Sequence, residues 1–192
     1  MKEINGDFYK KTLRKDRQRS YGIICELLTE MYGQGLKVVD YGCGAGWILS
    51  YMHGFGASEV LGFEPNEDHK VIHHEFTDKI QHKSLSKEIY LEKDYDMAVS
   101  FEVVEHIPEE FAELAIENIT RHTDLVVFSA APPGQGGYGH INEQPWEYWE
   151  RIFANYGFTV DASDTKHVCD VWKKKQIKQW YWKNTRILKR RV

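Results

Sequence analysis

The chain has 192 residues, 42% of them apolar and 14% aromatic, which suits a folded domain with a substantial core. No run reaches the roughly 18 apolar residues of a membrane-spanning helix, and the polar start, Met1 to Asp7, lacks the apolar stretch of a secretory leader. Cys25, Cys43 and Cys169 are odd in number, widely spaced and without a C-x-x-C pair, so reduced thiols and a cytoplasmic location are expected; the formal net charge is −4.

Residues 11–32 place Leu13, Ile23, Ile24, Leu27, Leu28 and Met31 at helical spacing, after a basic run that includes Lys10, Lys11, Arg14, Lys15, Arg17 and Arg19. Lys37–Tyr41 reads as a first strand and Trp47 to Met52 as the start of a helix. Glu59–Glu64 reads as a short buried strand, and Asn66–Phe76 as a helix with Asn66 as N-cap. Lys79–Leu85 is a weak third strand and Asp96–Phe101 a fourth. Pro108–Arg121 reads as a helix with proline in its first turn, and Leu125–Ala130 as a fifth strand. Pro145–Tyr156 is a helix closed by Gly157, Phe158–Asp161 a sixth strand, and Gln179–Leu188 a seventh that carries Trp180, Tyr181 and Trp182 and runs antiparallel after its short connection.

Strands and helices alternating at these lengths specify an α/β fold, a seven-stranded and mostly parallel sheet with helices on both faces. With no internal repeat or low-complexity linker, residues 1–192 are expected to form a single domain, a helical segment over 1–35 followed by a core over 36–190. Ligands of such sheets bind beyond the carboxyl ends of the strands, and the informative residues fall there.

The first strand runs into Asp40-Tyr-Gly42-Cys-Gly44-Ala-Gly46 and then a helix, so the backbone can pass close under a ligand next to free N–H groups. A dinucleotide fingerprint needs a third glycine at position 47, which is tryptophan. Glu64, ending the second strand, can accept two hydrogen bonds from a ribose diol; the blander reading is that it caps the following helix. Glu102, Glu105 and His106 sit at i, i+3 and i+4 after the fourth strand and converge if the segment is one helical turn. Four glycines within residues 134–139 predict a mobile loop that delivers His140, Asn142, Glu143 and Gln144 over a site, in preference to a plain solvated turn. After Asp170 there is no acidic residue, while Lys173, Lys174, Lys175, Lys178, Lys183, Arg186, Lys189, Arg190 and Arg191 give +9, leaving −13 for the rest. That segment reads as a contact surface for an anionic partner, nucleic acid or phosphorylated sugar, or as a near-terminal strand kept soluble by lysines; the second is favoured.

The Asp40–Gly46 turn resembles motif I of class I S-adenosylmethionine-dependent methyltransferases, and Glu102-Val-Val-Glu105-His106 resembles the E-V-x-E-H motif of the same proteins. Residues 36–190 look like a subgroup of that family known largely as functionally unassigned bacterial proteins, through Asp40–Gly46, Glu64, Ser100–His106 and, most specifically, Phe128 to Gln144, written F-S-A-A-x-P-G-Q-G-G-x-G-H-x-N-E-Q. The stretch from Trp172 to Asn184 matches more loosely, with Lys183 where the subgroup has glutamine, and Ser84-Leu85 replaces its usual Asp-Leu pair at the adenine.

The resemblance implies a Rossmann-like fold and S-adenosyl-L-methionine as cofactor, held by Asp40, Gly42, Gly44, Gly46, Glu64, Ser84, Leu85 and Glu102. The acceptor would be a small molecule or sugar methylated on oxygen or nitrogen. Nucleic acid is a rival acceptor through the basic C-terminal segment, and no membrane is involved. His106 and His140 are the candidates for acceptor-side chemistry. Three roles for the Glu102–His106 cluster remain open: ordering the pocket, a general base at His106, or a divalent-ion site completed by His140. The third is similar to the small-RNA 3′-terminal ribose methyltransferases, and no tightly bound metal is expected. The same motifs are compatible with an RNA ribose methyltransferase and with a non-catalytic adenosyl-binding partner subunit.

Overall fold

The computed structural model describes residues 15–67 and 76–191. Within them α1 spans Lys15–Tyr32, β1 Lys37–Tyr41, α2 Trp47–Gly54, β2 Glu59–Phe63, β3 Ile80–Gln81, β4 Met97–Phe101, α3 Ala112–Thr120 and β5 Leu125–Ser129. The chain continues through α4 (Trp146–Asn155), β6 (Phe158–Val160), α5 (Ala162–Lys174), α6 (Gln179–Asn184) and β7 (Arg186–Arg190). Leu13 of the expected first helix and most of the expected Asn66–Phe76 helix lie outside the described residues.

The strands form one seven-stranded sheet in the order β3-β2-β1-β4-β5-β7-β6, parallel except for β7, which is antiparallel to both neighbours. Successive strand residues point to opposite faces, so each strand feeds two cores. Val38, Met97, Val99, Val127 and Ile187 pack on one side with Leu28 of α1, Leu49 of α2, Trp172 of α5 and Tyr181 of α6. Val39, Ala98, Val126, Phe128 and Leu188 pack on the other with Ile116 and Ile119 of α3 and Trp149 and Phe153 of α4. Among the described residues no helix is long and apolar enough to cross a membrane.

Four sequence expectations change. The third strand is only Ile80–Gln81, because pairing with Gly62 and Phe63 ends where the chain turns at Ser84. The expected 108–121 helix is a 3₁₀ turn, Glu109–Phe111, followed by α3. The stretch 162–174, assigned to no element from sequence, is helix α5: Asp161 caps it through the Asp164 N–H at 2.9 Å, and Val168 and Trp172, one turn apart, are fully buried. The expected Gln179–Leu188 strand is instead a helix, Gln179–Asn184, and then β7. Tyr181 explains the helix: it turns inward, against Phe101 at 5.7 Å and Tyr21 at 5.8 Å, with its hydroxyl 3.1 Å from that of Tyr21.

Candidate active site

Strand order reverses between β1 and β4, and the carboxyl ends of such a pair frame a crevice. A cavity of about 450 Å³ opens there. The turn after β1 is pinned to β2 by the Gly42 and Cys43 N–H groups, which both donate to the Phe63 carbonyl at 2.8 and 3.0 Å. Gly42 has φ +83°, and a Cβ there would lie 2.4 Å from Val103 of the segment after β4, so only glycine lets the two segments meet.

Of the residues singled out from sequence, Asp40, Gly42, Gly44, Glu64, Ser84, Leu85, Glu102, His106 and His140 line this cavity. Gly46 does not; at φ +74° it precedes α2 and sets the entry of that helix. Glu64 is buried and its carboxylate accepts from the Gly44 N–H at 3.1 Å and the Asn66 N–H at 3.0 Å. It therefore joins β2 to the glycine turn. Ser84 Oγ accepts from the Ser86 N–H at 3.1 Å. Burial, followed by the nearby Glu64, pushes Asp40 up to about 8. Two buried carboxylates on one wall favour a cationic ligand, because a positive charge offsets both desolvation and mutual repulsion.

Glu102, Glu105 and His106 do not converge on one helical turn as expected. Glu102 has φ +55°, and only Val104–His106 forms a 3₁₀ turn. The Glu102 carboxylate receives Gln135 Nε2 at 2.7 Å and Asn184 Nδ2 at 3.1 Å, tying β4 to the glycine loop and to α6. Burial raises its pKa and these bonds oppose the rise. Glu105 turns inward, is 0% exposed, and neither carboxylate oxygen has a hydrogen-bond partner among the described residues. Burial, then the neighbouring Glu102, raises its pKa well above the carboxylate range.

The set that does meet is Glu105, His106 and His140, with ligand-capable atoms within 4.8 Å of one another. The two rings lie 4.9 Å apart, nearly perpendicular. His106 Nδ1 is 3.1 Å from the Gly139 carbonyl; a carbonyl only accepts, so Nδ1 carries the hydrogen and Nε2 keeps its lone pair. His140 Nδ1 is 2.7 Å from Glu143 Oε1, and its Nε2 lies 3.9 Å from Glu105 Oε1. Burial lowers the pKa of His106, opposed by the Gly139 carbonyl, with His140 adding to the fall.

The glycine loop is tied down more than its composition predicts. Glu143 accepts from the Gly134 and Gly136 N–H groups at 2.8 and 2.7 Å, and the Ile141 and Asn142 N–H groups donate to the Glu105 carbonyl. A Cβ at Gly137 would lie 2.2 Å from His140 Nε2, so the loop passes directly against that ring. Sequence reasoning missed several cavity-lining residues: Arg17 and Tyr21 on α1, Trp47, Lys83 and Gln135, and Trp180 and Tyr181 on α6. Spacing gave one hint, since Arg17 and Tyr21 are one helical turn apart; the α6 pair was hidden by its reading as a strand.

This arrangement, a glycine turn after β1, an acidic residue ending β2 and a seven-stranded sheet with only β7 reversed, coincides with a match of residues 13–163 to a family described as methyltransferase domain. The chain belongs to that family. The methyltransferase domain is also 26% identical over 171 residues to the mitochondrial ubiquinone biosynthesis O-methyltransferase of Dictyostelium discoideum, covering 79% of the chain and 50% of that protein. It thus spans half the length of this curated relative. Among solved structures it resembles the sugar N-methyltransferase KedS8 from Streptoalloteichus sp. ATCC 53650, with TM-score 0.73, 12% identity, and coverage of 100% of this chain and 94% of the other. A second is magnesium protoporphyrin IX methyltransferase from Synechocystis PCC 6803 with bound S-adenosylmethionine, at TM-score 0.61, 19% identity, and coverage of 98% and 84%. At these identities the structures establish a shared fold.

Proposed function

We propose that the chain is a single-domain methyltransferase that uses S-adenosylmethionine to methylate an oxygen or nitrogen of a small acceptor, a sugar-type molecule included. The observation that carries this reading is the buried Asp40–Glu64 pair beside the Gly42–Gly46 turn. A cation beside the pair favours its ionised form, which suits a sulfonium and an ammonium group, and the Glu64 carboxylate suits a ribose diol. The long match from Phe128 to Gln144 supports the functionally unassigned bacterial-type subgroup.

When bound, the cofactor supplies an electrophilic methyl carbon. The chain supplies position and dryness. Asp40, Gly42, Gly44 and Glu64 would hold the cofactor, with Ser84 and Leu85 beside the base. Glu102, fixed by Gln135 and Asn184, shapes the floor between donor and acceptor. His106, oriented by the Gly139 carbonyl, presents an unprotonated Nε2 that can take the acceptor's proton. The Glu143–His140 pair holds a second imidazole beside it.

Calorimetry tests the donor half. S-adenosylhomocysteine should bind, and Glu64→Ala should weaken it at least about tenfold, since a charge-assisted hydrogen bond contributes roughly 1.5–3 kcal/mol. Unchanged affinity in that variant would leave Glu64 as no more than a brace for the turn. Release of S-adenosylhomocysteine on incubation with sugar or phenol acceptors tests the other half, and methyl transfer to any acceptor excludes a non-catalytic partner subunit.

One observation favours a second reading. Glu105 has two buried oxygens without a hydrogen-bond partner among the described residues, and His106 and His140 each have Nδ1 beside an oxygen and a ligand-capable atom within 4.8 Å of the rest of the set. Histidine ligands are oriented in this way in metal sites. Those three residues would hold a divalent ion, which would polarise a diol of the acceptor, as an RNA-ribose acceptor requires. Two imidazoles and a carboxylate suit manganese, iron or zinc better than magnesium. The first reading expects protein purified without chelator to be metal-free and active. Near-stoichiometric metal that chelation removes together with activity would establish the second reading in its place.

A further inference from the structure

The sheet order gives the cavity two halves. The turns after β1 and β2, with Gly44 and Glu64, bound one; the loop after β5 and the end of α6, just before β7, bound the other. Glu102 follows β4, which lies between them, and its side chain goes to the second half. Its carboxylate partners are Gln135, from the loop after β5, and Asn184, the last residue of α6. The backbone directs it there. The Glu102 N–H donates to the Ser129 carbonyl at the end of β5 at 3.0 Å, and its φ is +55°. Among the described residues Gln176 is the only other non-glycine residue with positive φ. Glycine takes such a φ without strain, so a carboxylate held there against strain points to a use for the carboxylate.

The three side chains close a ring. Gln135 Nε2 donates to Glu102 Oε2 at 2.7 Å, and Asn184 Nδ2 donates to Glu102 Oε1 at 3.1 Å and to Gln135 Oε1 at 2.8 Å. Gln135 is thus a donor to a carboxylate and an acceptor from an amide at once. It is exposed, and its loop is held without it, because Glu143 binds the Gly134 and Gly136 N–H groups on either side. Its side chain can therefore leave the ring while the loop backbone stays in place. Two neighbouring hydroxyls of a small molecule offer the same pair of functions: one O–H donates to the carboxylate and the other oxygen accepts from Asn184. The plainer account is a brace that ties the loop to α6. A brace needs no access to the cavity, yet Glu102 and Gln135 both line it.

We infer that Glu102 and Asn184 form the acceptor subsite for a neutral vicinal diol, and that Gln135 occupies this subsite until the acceptor displaces it. The inference rests on the methyltransferase reading of the cavity and adds which part of the acceptor is recognised. It also moves Glu102 from the cofactor, where the motif resemblance puts it, to the acceptor. Gln135 then acts as a specificity filter, since a molecule with a single hydroxyl replaces only one of its two hydrogen bonds.

The probes are two matched pairs that differ by one hydroxyl: trans-1,2-cyclohexanediol with cyclohexanol, and catechol with phenol. Each is titrated by calorimetry into the protein saturated with S-adenosylhomocysteine. At least one diol should bind about tenfold or more tighter than its partner, as expected for one added hydrogen bond to a charged group. Glu102→Gln and Asn184→Ala should each reduce that preference below about threefold. Gln135→Ala should tighten diol binding by about threefold or more, because the competing amide is gone; a brace predicts no change or a loss. S-adenosylhomocysteine affinity should stay within about twofold in all three variants. Should Glu102→Gln or Asn184→Ala lower the thermal midpoint, Gln135→Ala, at an exposed loop position, decides the matter by the direction of its effect.

Four results would overturn the proposal. In the first, S-adenosylhomocysteine binds but neither diol outperforms its partner. In the second, Gln135→Ala leaves diol binding unchanged or weaker, which makes Gln135 a brace. In the third, folded Glu102→Gln or Asn184→Ala keeps the full preference. In the fourth, Glu102→Gln weakens S-adenosylhomocysteine as much as the diol, which returns Glu102 to the cofactor. Failure of S-adenosylhomocysteine to bind the unaltered protein is a separate outcome; it removes the methyltransferase reading, and this one with it.

Discussion

Gly44→Val should abolish measurable S-adenosylhomocysteine binding while leaving the protein folded. Gly44 has φ +52°, in the left-handed region that a β-branched residue adopts only with strain of about 1–3 kcal/mol. Its N–H donates to Glu64 Oε2 at 3.1 Å, so any relaxation of the turn also moves the carboxylate expected to hold the ribose. Loss of that charge-assisted bond and its geometry adds roughly 1.5–3 kcal/mol. Together these correspond to an affinity lower by about 10² to 10⁴-fold. The sheet and helix on either side are buried in the core, so the circular dichroism spectrum should remain that of the unaltered protein. Calorimetry on the folded variant that returned undiminished affinity would remove the glycine turn from the cofactor site.

His106→Ala should lower turnover by about 10²–10⁴-fold, the range for loss of a positioned general base, with S-adenosylhomocysteine affinity roughly unchanged. The pH profile carries the sign. Burial lowers the His106 pKa from its ordinary value of 6.5. The ring is therefore neutral, and able to accept a proton, at pH values where an exposed histidine is already partly charged. Activity should be fully present above the ordinary histidine range and fall as pH drops through the lowered pKa, so the acid limb of kcat lies below 6.5. Glu143→Gln acts differently, since the amide keeps one oxygen for His140 and Gly136 and loses the one that holds the Gly134 N–H. An acid limb that stays in place in His106→Ala, with turnover reduced less than tenfold, would take the base role away from His106.

The sequence by itself determined the sheet and one end of the site. The apolar runs at Lys37–Tyr41, Glu59–Glu64, Asp96–Phe101 and Leu125–Ala130 appear as β1, β2, β4 and β5 because strands buried on both faces need continuous apolar residues and little else. The glycine turn and Glu64 were legible because they act through the backbone next to their own strands, and local sequence dictates local backbone.

Tertiary structure decided the other end of the cavity. The aromatic run at Trp180–Trp182 is consistent with strand or helix when read alone; the space between Tyr21 and Phe101, which one aromatic fills, selected the helix. Glu102, Glu105 and His106 looked like one cluster at helical spacing. A left-handed residue at Glu102 split them, sending Glu102 to Gln135 and Asn184 and leaving Glu105 and His106 to meet His140. The glycine loop looked free, and Glu143 holds it through bonds to Gly134 and Gly136 that the order of residues does not show. Hydrogen bonds from Arg19 to the Lys175 carbonyl and from the Lys178 N–H to Ser20 join α1 to the α5–α6 turn across more than 150 residues of chain. Contacts of that separation are fixed by how helices pack on the sheet, and local spacing carries no record of them.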